Sequence, residues 1–231
     1  MNVAIIPARG GSKRIPGKNV KLFAGKPIIA YSIQAAKDAG LFDRIIVTTD
    51  SEEIAAVARQ HGAETPFLRP AELADDHTPT APVVAHVLER LQEDGQPADY
   101  ACCIYATAPF VQAQYIRQGY ALLTAKKVSS VFSVTTFPFP IFRALKIEAD
   151  GQLAMFWPEH ELTRSNDLPE AYHDAGQFYW VECQRFMREQ RMYTKDAMPI
   201  ILPRYLVQDI DTPEDWQTAE YMFEALRLAQ R

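Results

Sequence analysis

Short apolar runs alternate with amphipathic segments along most of the chain. The apolar runs that predict buried strands lie at 3–6, 44–50, 100–105, 128–134 and 177–181, with a further short strand at 65–68. The segments whose apolar residues recur at helical spacing lie at 28–36, 52–60, 80–93, 113–125 and 213–229. Strands that alternate with helices favour an α/β fold with a doubly wound, mostly parallel sheet.

The alternation stops between residues 137 and 170. Two expected strands, 141–147 and 153–156, are joined through Asp150-Gly151, a dipeptide typical of hairpin turns. We therefore predict one domain, built from 1–136 and 171–231, that carries 137–170 as a small β-rich insertion. Because a lone hairpin is only marginally stable in water, this flap must pack either on its own domain or on a second chain.

Composition narrows the class of protein. With 231 residues and 48% hydrophobic content, the chain can form one large α/β domain. A formal net charge of −5, with the basic residues clustered locally, argues against a nucleic-acid partner. No apolar run approaches the roughly 18 residues of a membrane span, and residues 1–8 do not read as a signal peptide, so we expect a cytoplasmic protein with no membrane partner.

The cysteines predict no special chemistry. Their number is odd, and Cys102 and Cys103 are adjacent in an expected buried strand, with Cys183 far along the chain. This spacing suits neither a disulfide framework nor zinc, so we interpret all three as core thiols.

A basic, glycine-rich loop, Ala8 to Asn19, follows the first strand. Its glycines, Gly10, Gly11 and Gly17, predict positive φ and close approach to a ligand. Crowding four cations into this loop is costly unless an anion binds, and a triphosphate is the obvious candidate; these cations are Arg9, Lys13, Arg14 and Lys18. The alternative is a solvated basic turn.

The loop differs from the two common glycine-rich nucleotide motifs. Five residues separate Gly11 from Gly17, and Asn19 follows Lys18, so the Walker A spacing is not met. No G-x-G-x-x-G fingerprint is present either.

Two carboxylates lie near the C-terminus. Asp209 and Asp211 are two residues apart in an expected extended segment, so both point to the same side. That pair can hold Mg²⁺ together with substrate phosphates and water. Helix capping by Asp211 or Thr212 ahead of Pro213 is the alternative, but it leaves Asp209 unexplained.

Further polar residues are expected where strands end or begin. Arg69 lies on a polar loop that follows the second helix, and an exposed arginine with acidic neighbours is its alternative reading. Arg164 ends the insertion, and Tyr172-His173-Asp174 leads into a strand. A cation followed by these residues suits an acidic sugar, with Arg164 for its carboxylate and the others for hydroxyl and acylamino groups. The alternative is a polar turn.

The run from Ile6 to Asn19 closely resembles the N-terminal signature of the CMP-sialic acid synthetase family, and the resemblance extends along essentially the whole chain. It implies a Rossmann-like nucleotidyltransferase fold, a catalytic domain with CTP on the basic loop, Mg²⁺ on Asp209 and Asp211, and an insertion that makes a homodimer. The nucleotide-binding residues it implies are Ala8, Arg9, Gly10, Gly11, Ser12, Lys18, Asn19 and Arg69. Arg9, Lys18 and Asp211 are the catalytic residues it implies.

The family usually carries Gln-Pro-Thr-Ser-Pro where this chain has Tyr105-Ala106-Thr107-Ala108-Pro109. Tyr105 therefore replaces a glutamine that reads base and sugar, and it is expected either to contact the sugar or to pack. Tyr105, the Cys102-Cys103 strand and the Tyr-His-Asp-Ala-Gly run look most like the subgroup that acts on pseudaminic acid. The sugar-binding residues implied are Tyr105, Arg164, Tyr172, His173 and Asp174.

The implied reaction is attack of a nonulosonic acid on CTP, which gives the CMP-sugar and pyrophosphate. N-acetylneuraminic, legionaminic and 3-deoxy-octulosonic acids remain alternative substrates. A glycosyltransferase also uses Asp-x-Asp, but its donor has less need of four extra cations. A catalytically silent nucleotide or sugar sensor is the third reading, and magnesium-dependent pyrophosphate release separates it from an enzyme.

Overall fold

The structure, a computed structural model, describes residues 1–229. Positions 230 and 231, which end the predicted catalytic domain, lie outside the described residues. The strands are β1 (Asn2–Pro7), β2 (Leu22–Phe23), β3 (Lys26–Pro27), β4 (Arg44–Thr48), β5 (Tyr100–Ile104), β6 (Ser130–Thr136), β7 (Leu145–Ile147), β8 (Leu153–Met155), β9 (Tyr172–Glu182) and β10 (Met198–Ile201). The helices are α1 (Ile29–Ala39), α2 (Glu52–Gln60), α3 (Thr80–Glu93), α4 (Ala113–Lys126), α5 (Cys183–Glu189) and α6 (Pro213–Ala229).

A six-stranded sheet forms the centre of the described chain, in the order β10-β6-β9-β5-β1-β4. β9 runs antiparallel to both of its neighbours, and the other pairs are parallel. This confirms the predicted doubly wound, mostly parallel α/β fold. In such a sheet the carboxyl ends of the parallel strands meet at one edge, where ligands bind.

The central strand β1 shows why the sheet is covered on both faces. Ala4 and Ile6 pack into one apolar cluster, which includes residues of α1, α2 and α4. Val3 and Ile5 pack into a second cluster, which includes residues of α3 and α5. All four side chains are fully buried, as the unbroken apolar run predicts for a strand between two helix layers.

A third apolar cluster lies beside the sheet and joins distant parts of the sequence. It contains Ile15, Phe23, Ile28, Phe110, Leu206, Ile210, Trp216 and Ala219. Ile15 belongs to the basic loop, Ile210 lies between the two C-terminal aspartates, and Trp216 lies on α6. The ring centroids of Phe23 and Trp216 are 5.6 Å apart in an edge-to-face arrangement. This cluster therefore holds the basic loop against the C-terminal carboxylates.

Most of the predicted elements are confirmed, and two predictions are wrong. The helices at 52–60 and 80–93 have the predicted bounds, and Ser51 caps the first by accepting from the Ile54 N–H at 3.4 Å. The strand expected at 65–68 is absent from the described chain, because Pro66 has no N–H with which to continue the ladder after the Ile46–Glu64 bridge. The strand expected at 177–181 begins at Tyr172, so the polar run 172–176, expected to lead into it, is the first half of β9.

A bulge interrupts the pairing of β9 with β6. Phe132 lies opposite Tyr179, whereas Val134 lies opposite Asp174, so β9 contains extra residues at this point. Gly176 lies in the bulge with φ +62°, a conformation that favours glycine. The Phe178 N–H, which the bulge removes from the ladder, donates to Ser133 Oγ at 3.1 Å. The bulge thus allows β9 to bend near Asp174.

The insertion contains the predicted hairpin in a shorter form. β7 and β8 pair antiparallel, and Gly151 takes φ +84° in the connecting turn. The first strand does not begin at 141, because residues 141–143 form a 3₁₀ turn after Pro138 and Pro140. None of residues 137–170 is buried. The flap therefore has no core of its own.

All three cysteines are buried and free, as expected for core thiols. None of the described helices has both the length and the apolarity needed to cross a membrane.

Replacing Gly119 in α4 by Ala should destabilise the protein, although Ala favours a helix. A Cβ at this position would lie 2.8 Å from Trp180 Cδ1 and 3.1 Å from Phe178 Cε2, and overpacking of this kind costs about 1–3 kcal/mol. Urea unfolding of Gly119→Ala and of Gln118→Ala, an exposed neighbour, measures the difference. Equal stability of the two variants would show that the sheet yields to the extra methyl group.

Candidate active site

A cavity of about 470 Å³ opens at the carboxyl ends of β1, β4 and β5. We call it the main cavity. Its lining residues are Pro7, Arg9, Ser12, Lys13, Arg14, Lys18, Asn19, Arg69, Asp76, Thr78, Thr80, Val83, Tyr105, Ala106, Thr107 and Asp211. All four cations of the basic loop are among them.

Asp76 neutralises one half of the basic loop. Its Oδ1 accepts from Arg9 Nη1 at 2.6 Å, and its Oδ2 forms an ion pair with Lys13. Arg9 also donates to the carbonyl of Asp75 at 2.8 Å. Hydrogen bonds from Lys13 and Arg9 hold the pKa of Asp76 below its usual value. A carboxylate thus lies between two cations of the loop.

Asp211 neutralises the other half. Arg14 Nη2 lies 2.9 Å from Asp211 Oδ2, and Lys18 Nζ lies 3.5 Å from Oδ1. Lys18 also donates to the Ile210 carbonyl at 2.6 Å, and only 18% of its side chain is exposed. The predicted catalytic pair, Lys18 and Asp211, is therefore brought together across 193 positions of sequence.

The glycines act differently from the prediction. Gly17 has φ +64°, but Gly10 and Gly11 are not among the positive-φ residues, so that part of the prediction is wrong. The Gly10 N–H donates to Asp50 Oδ1 at 2.8 Å rather than to the cavity. A Cβ on Gly10 would lie 3.2 Å from Ser51 Cβ, so glycine is needed here for close packing against the end of β4.

The remaining loop residues divide into two groups. Ser12 and Asn19 line the main cavity, and Asn19 Nδ2 donates to the Arg9 carbonyl at 2.9 Å. Ala8 is buried, and its N–H pairs with the Thr48 carbonyl at 3.0 Å. Ala8 and Gly10 therefore hold the loop against the end of β4, Gly11 is exposed and lines neither cavity, and Ser12 and Asn19 line the main cavity.

Arg69 is buried, with only 6% of the residue exposed. Its N–H donates to the Thr49 carbonyl at 2.7 Å, and its guanidinium donates to the Thr48 carbonyl. Burial lowers the pKa of Arg69 to about 10, so it stays cationic at neutral pH. The alternative of an exposed, solvated arginine is wrong, and Arg69 presents a fixed positive charge at the end of β4.

Asp209 and Asp211 flank the fully buried Ile210, so the alternation of an extended segment places both carboxylates on the side away from the core. Burial and the charge of Asp211 raise the pKa of Asp209, and a divalent cation would relieve both effects. Within residues 1–229 no group of three or more His, Cys, Asp or Glu side chains could hold a metal. The donor set fits Mg²⁺ that completes its shell with phosphates and water.

A second cavity of about 350 Å³ adjoins the main cavity. Its lining residues are Pro79, Thr80, Ala81, Tyr105, Asp174, Tyr179, Arg191, Met192 and Tyr193. Thr80 and Tyr105 line both cavities, and their hydroxyl oxygens are 3.1 Å apart. Two of the predicted sugar residues, Tyr105 and Asp174, are thus found together beside the main cavity.

The other predicted sugar residues line neither cavity. Tyr172 is exposed and donates to Glu170. His173 packs on Phe137, with ring centroids 4.8 Å apart. The side chain of Arg164 is 81% exposed and pairs with Asp167 at 2.8 Å on the flap.

Several residues of the site were not singled out by the sequence. Asp76 lies in the polar run after Arg69, but acidic residues in a polar loop carry no distinct signal. Asp50 follows β4 and accepts from the Gly10 N–H, while its neighbour Ser51 caps α2. Arg191 and Tyr193 lie in a polar stretch without a motif, so only the fold reveals their proximity to Asp174.

Comparison with known proteins places these features in a family. The family model described as Cytidylyltransferase matches residues 3–228. A pseudaminic acid cytidylyltransferase from Campylobacter jejuni is 42% identical over 96% of this chain and 96% of its own. A CMP-N,N'-diacetyllegionaminic acid synthase from Legionella pneumophila is 33% identical over 96% of both chains.

Among solved structures, a CMP:2-keto-3-deoxy-manno-octonic acid synthetase complexed with CTP is similar, with a TM-score of 0.69. It is 13% identical in sequence, and the match covers 97% of this chain and 98% of that one. At this identity the likeness concerns the fold, and it agrees with the observed mostly parallel sheet.

Replacing Asp76 by Asn should strengthen the binding of triphosphate several-fold, because the amide no longer competes for Arg9 and Lys13. Titration calorimetry with inorganic tripolyphosphate and with CTP, both without metal, measures the effect. Asp94→Asn removes an equal charge from an exposed position after α3 and should change neither affinity. Unchanged or weaker binding by Asp76→Asn would mean that the carboxylate does not occupy the phosphate position.

Proposed function

The chain belongs to the cytidylyltransferase family, and we propose that it transfers the cytidylyl group of CTP to a nonulosonic acid, namely pseudaminic acid. The observation that carries this proposal is the main cavity, which is lined by the four loop cations, Arg69 and Asp211 together. The identity of 42% to a pseudaminic acid cytidylyltransferase over nearly the whole of both chains supports the choice of sugar. A catalytically silent sensor has no need of Asp211 beside Lys18, and that contact favours an enzyme.

The cations of the main cavity suit the phosphates of CTP. Arg9 and Lys13 can exchange Asp76 for phosphate oxygens without losing a partner. Lys18 is held by the Ile210 carbonyl, so its ammonium is already oriented before the nucleotide binds. Ser12 and Asn19 offer neutral donors on the same wall. Charge neutralisation and positioning, rather than covalent catalysis, are the contribution of these residues.

The cofactor proposed for the reaction is Mg²⁺ on Asp209 and Asp211. When bound, Mg²⁺ would neutralise phosphate charge and favour ionisation of the attacking hydroxyl. The chain itself holds the two carboxylates on one side of an extended segment, with the intervening Ile210 buried as an anchor. Arg14, paired with Asp211 at 2.9 Å, is the residue that must give way.

The sugar attacks from the second cavity in this proposal. Its anomeric hydroxyl forms the new bond to the α-phosphorus of CTP, and the bond to pyrophosphate breaks. Burial raises the pKa of Tyr105 at the junction of the cavities, so this phenol stays protonated and can donate a hydrogen bond but cannot serve as a base. We place the reaction in the cytoplasm, because its reducing conditions keep cysteines as free thiols and all three cysteines here are free.

The activity can be tested by measuring pyrophosphate release from CTP and Mg²⁺ with pseudaminic, N-acetylneuraminic and legionaminic acids offered separately. We expect release with pseudaminic acid at the highest kcat/KM, and almost none from Asp211→Ala. Release with another sugar alone would keep the family and change the substrate. No release with any sugar would favour the sensor or the glycosyltransferase.

A homodimer formed through the flap is the second part of the proposal. The flap has large apolar side chains exposed on a segment without a buried residue, and monomeric proteins seldom expose such a patch. These side chains are Phe137, Phe139, Leu145, Ile147, Leu153, Phe156 and Leu162. A flap packed on its own domain would have buried some of them, so a second copy of the chain is the better partner.

Replacing Leu153 by Asp should convert the dimer to monomer, because a buried, unpaired carboxylate at the interface is costly. Leu228→Asp is the matched control, since Leu153 is 68% exposed on the flap and Leu228 is 66% exposed on α6. Light scattering during gel filtration measures the masses. Loss of the dimer in both variants, or in neither, would contradict the role of the flap.

Arg164 reaches a sugar only from a partner subunit in this arrangement, because it lines neither the main cavity nor the second cavity of its own chain. Mixing Arg164→Ala with Asp211→Ala should then restore activity that each variant lacks. Random exchange of subunits leaves roughly a quarter of the sites with both residues intact. Pyrophosphate release after subunit exchange measures this, and no recovery above the separate variants would mean that Arg164 does not act across the dimer.

A further inference from the structure

The carboxylate of Asp174 is held more tightly than a surface aspartate needs to be. Oδ1 accepts from the Gly176 N–H at 2.8 Å, and Oδ2 accepts from the hydroxyl of Tyr179 at 2.6 Å and from that of Tyr193. A carboxylate has about four acceptor sites. Three are therefore occupied by the protein, and one on Oδ1 remains for a ligand.

The two phenols keep this arrangement at neutral pH. Burial, with the neighbouring Asp174, raises the pKa of Tyr179 and of Tyr193, so both remain protonated donors. Each phenol oxygen retains lone pairs that can accept from a ligand. The polar wall of the second cavity is thus rich in acceptors and selects for ligands that carry N–H or O–H donors.

The position of Asp174 connects it to the reaction. Gly176, whose N–H binds Asp174, also lies close to Asp209: a Cβ on Gly176 would be 3.9 Å from Asp209 Oδ1. The second cavity therefore lies beside the C-terminal carboxylates, and it shares Thr80 and Tyr105 with the main cavity. A sugar held there is next to the phosphates of a nucleotide.

The remaining residues that line the second cavity indicate which kind of ligand it can bind. Pro79, Ala81 and Met192 are apolar, and Arg191 is the cation of this wall, with no ion pair to any carboxylate within residues 1–229. Arg191 offsets the charge of Asp174 and allows an acidic ligand to enter. An acylamino group presents an N–H donor beside an apolar methyl group, whereas a hydroxyl group presents the donor alone.

We propose that Asp174, oriented by Tyr179 and Tyr193, is the residue that selects the sugar, by accepting a hydrogen bond from the N–H of an acylamino group. This inference rests on the proposed function and adds the determinant of sugar choice to it. Asp174 touches the substrate and takes no part in bond formation. If the hydrogen bonds of Asp174 were purely structural, they would only stabilise the β9 bulge and the loop that carries Tyr193.

The test compares pseudaminic acid with its analogue in which hydrogen atoms replace both acylamino groups, so that the analogue has neither an N–H nor an O–H donor at these positions. The ratio of the two kcat/KM values should favour pseudaminic acid in the parent and fall roughly tenfold to a hundredfold in Asp174→Asn, as expected for a lost bond to a charged acceptor. CTP affinity should not change. Asp196→Asn is the matched control: Asp196 also accepts from hydroxyls, those of Ser129 and Thr194, but it lines neither cavity.

A lower stability with an unchanged ratio in Asp174→Asn would assign it a structural role and overturn the inference, as would a parent that does not discriminate. If Asp174→Asn does not fold, Tyr193→Phe decides, because it removes one of the two phenols that orient the carboxylate and should also lower the ratio. A full parental ratio in that variant would overturn the inference too. A parent inactive with every acidic sugar would end the proposed function itself, which separates the two failures.

Discussion

The packing of the basic loop against the C-terminal segment is the constraint on which the site depends. Ile15 of the loop and Ile210 of the segment are buried in one apolar cluster, together with Trp216 of α6. This burial brings Lys18 and Asp211 within 3.5 Å although they are 193 positions apart. Apolar contacts have no preferred direction, so the direction comes from the Lys18 bond to the Ile210 carbonyl.

The electrostatics of the site follow from that packing. Four cations in one loop repel each other, and two carboxylates from elsewhere in the chain relieve the repulsion: Asp76 and Asp211. In the proposed function, nucleotide binding is an exchange of carboxylate for phosphate rather than a simple addition of charge. Because these pairs are partly exposed, each is weak enough to exchange. Arg69 differs, since it is buried and bound to β4 and keeps its position throughout.

The bulge in β9 links the two cavities. A regular strand would continue its ladder with β6, and its side chains would alternate without interruption. The extra residues around Gly176 instead allow the Gly176 N–H to donate to Asp174, and they bring the same glycine beside Asp209. One backbone irregularity therefore sets the relation between the proposed sugar residue and the proposed metal carboxylates. Bulges are common beside active sites for this reason.

The sequence by itself determined the layers of the fold and the first half of the site. Continuous apolar runs such as residues 3–6 are buried because both faces of the sheet are covered, and α2 and α3 follow directly from helical spacing. The basic loop could be recognised because clustered cations need an anion. These signals are local, and local patterns are what a single sequence records.

Only the tertiary structure decided which residues share a cavity. Asp76, Asp50, Arg191 and Tyr193 gave no signal, because an ordinary polar residue acquires a role only from what the fold places next to it. Glycine is needed at position 10 because a side chain there would crowd Ser51, not because the backbone takes positive φ. This requirement also depends on a neighbour 41 positions away in sequence. Contacts between distant segments follow from packing of the whole core, which no local pattern encodes.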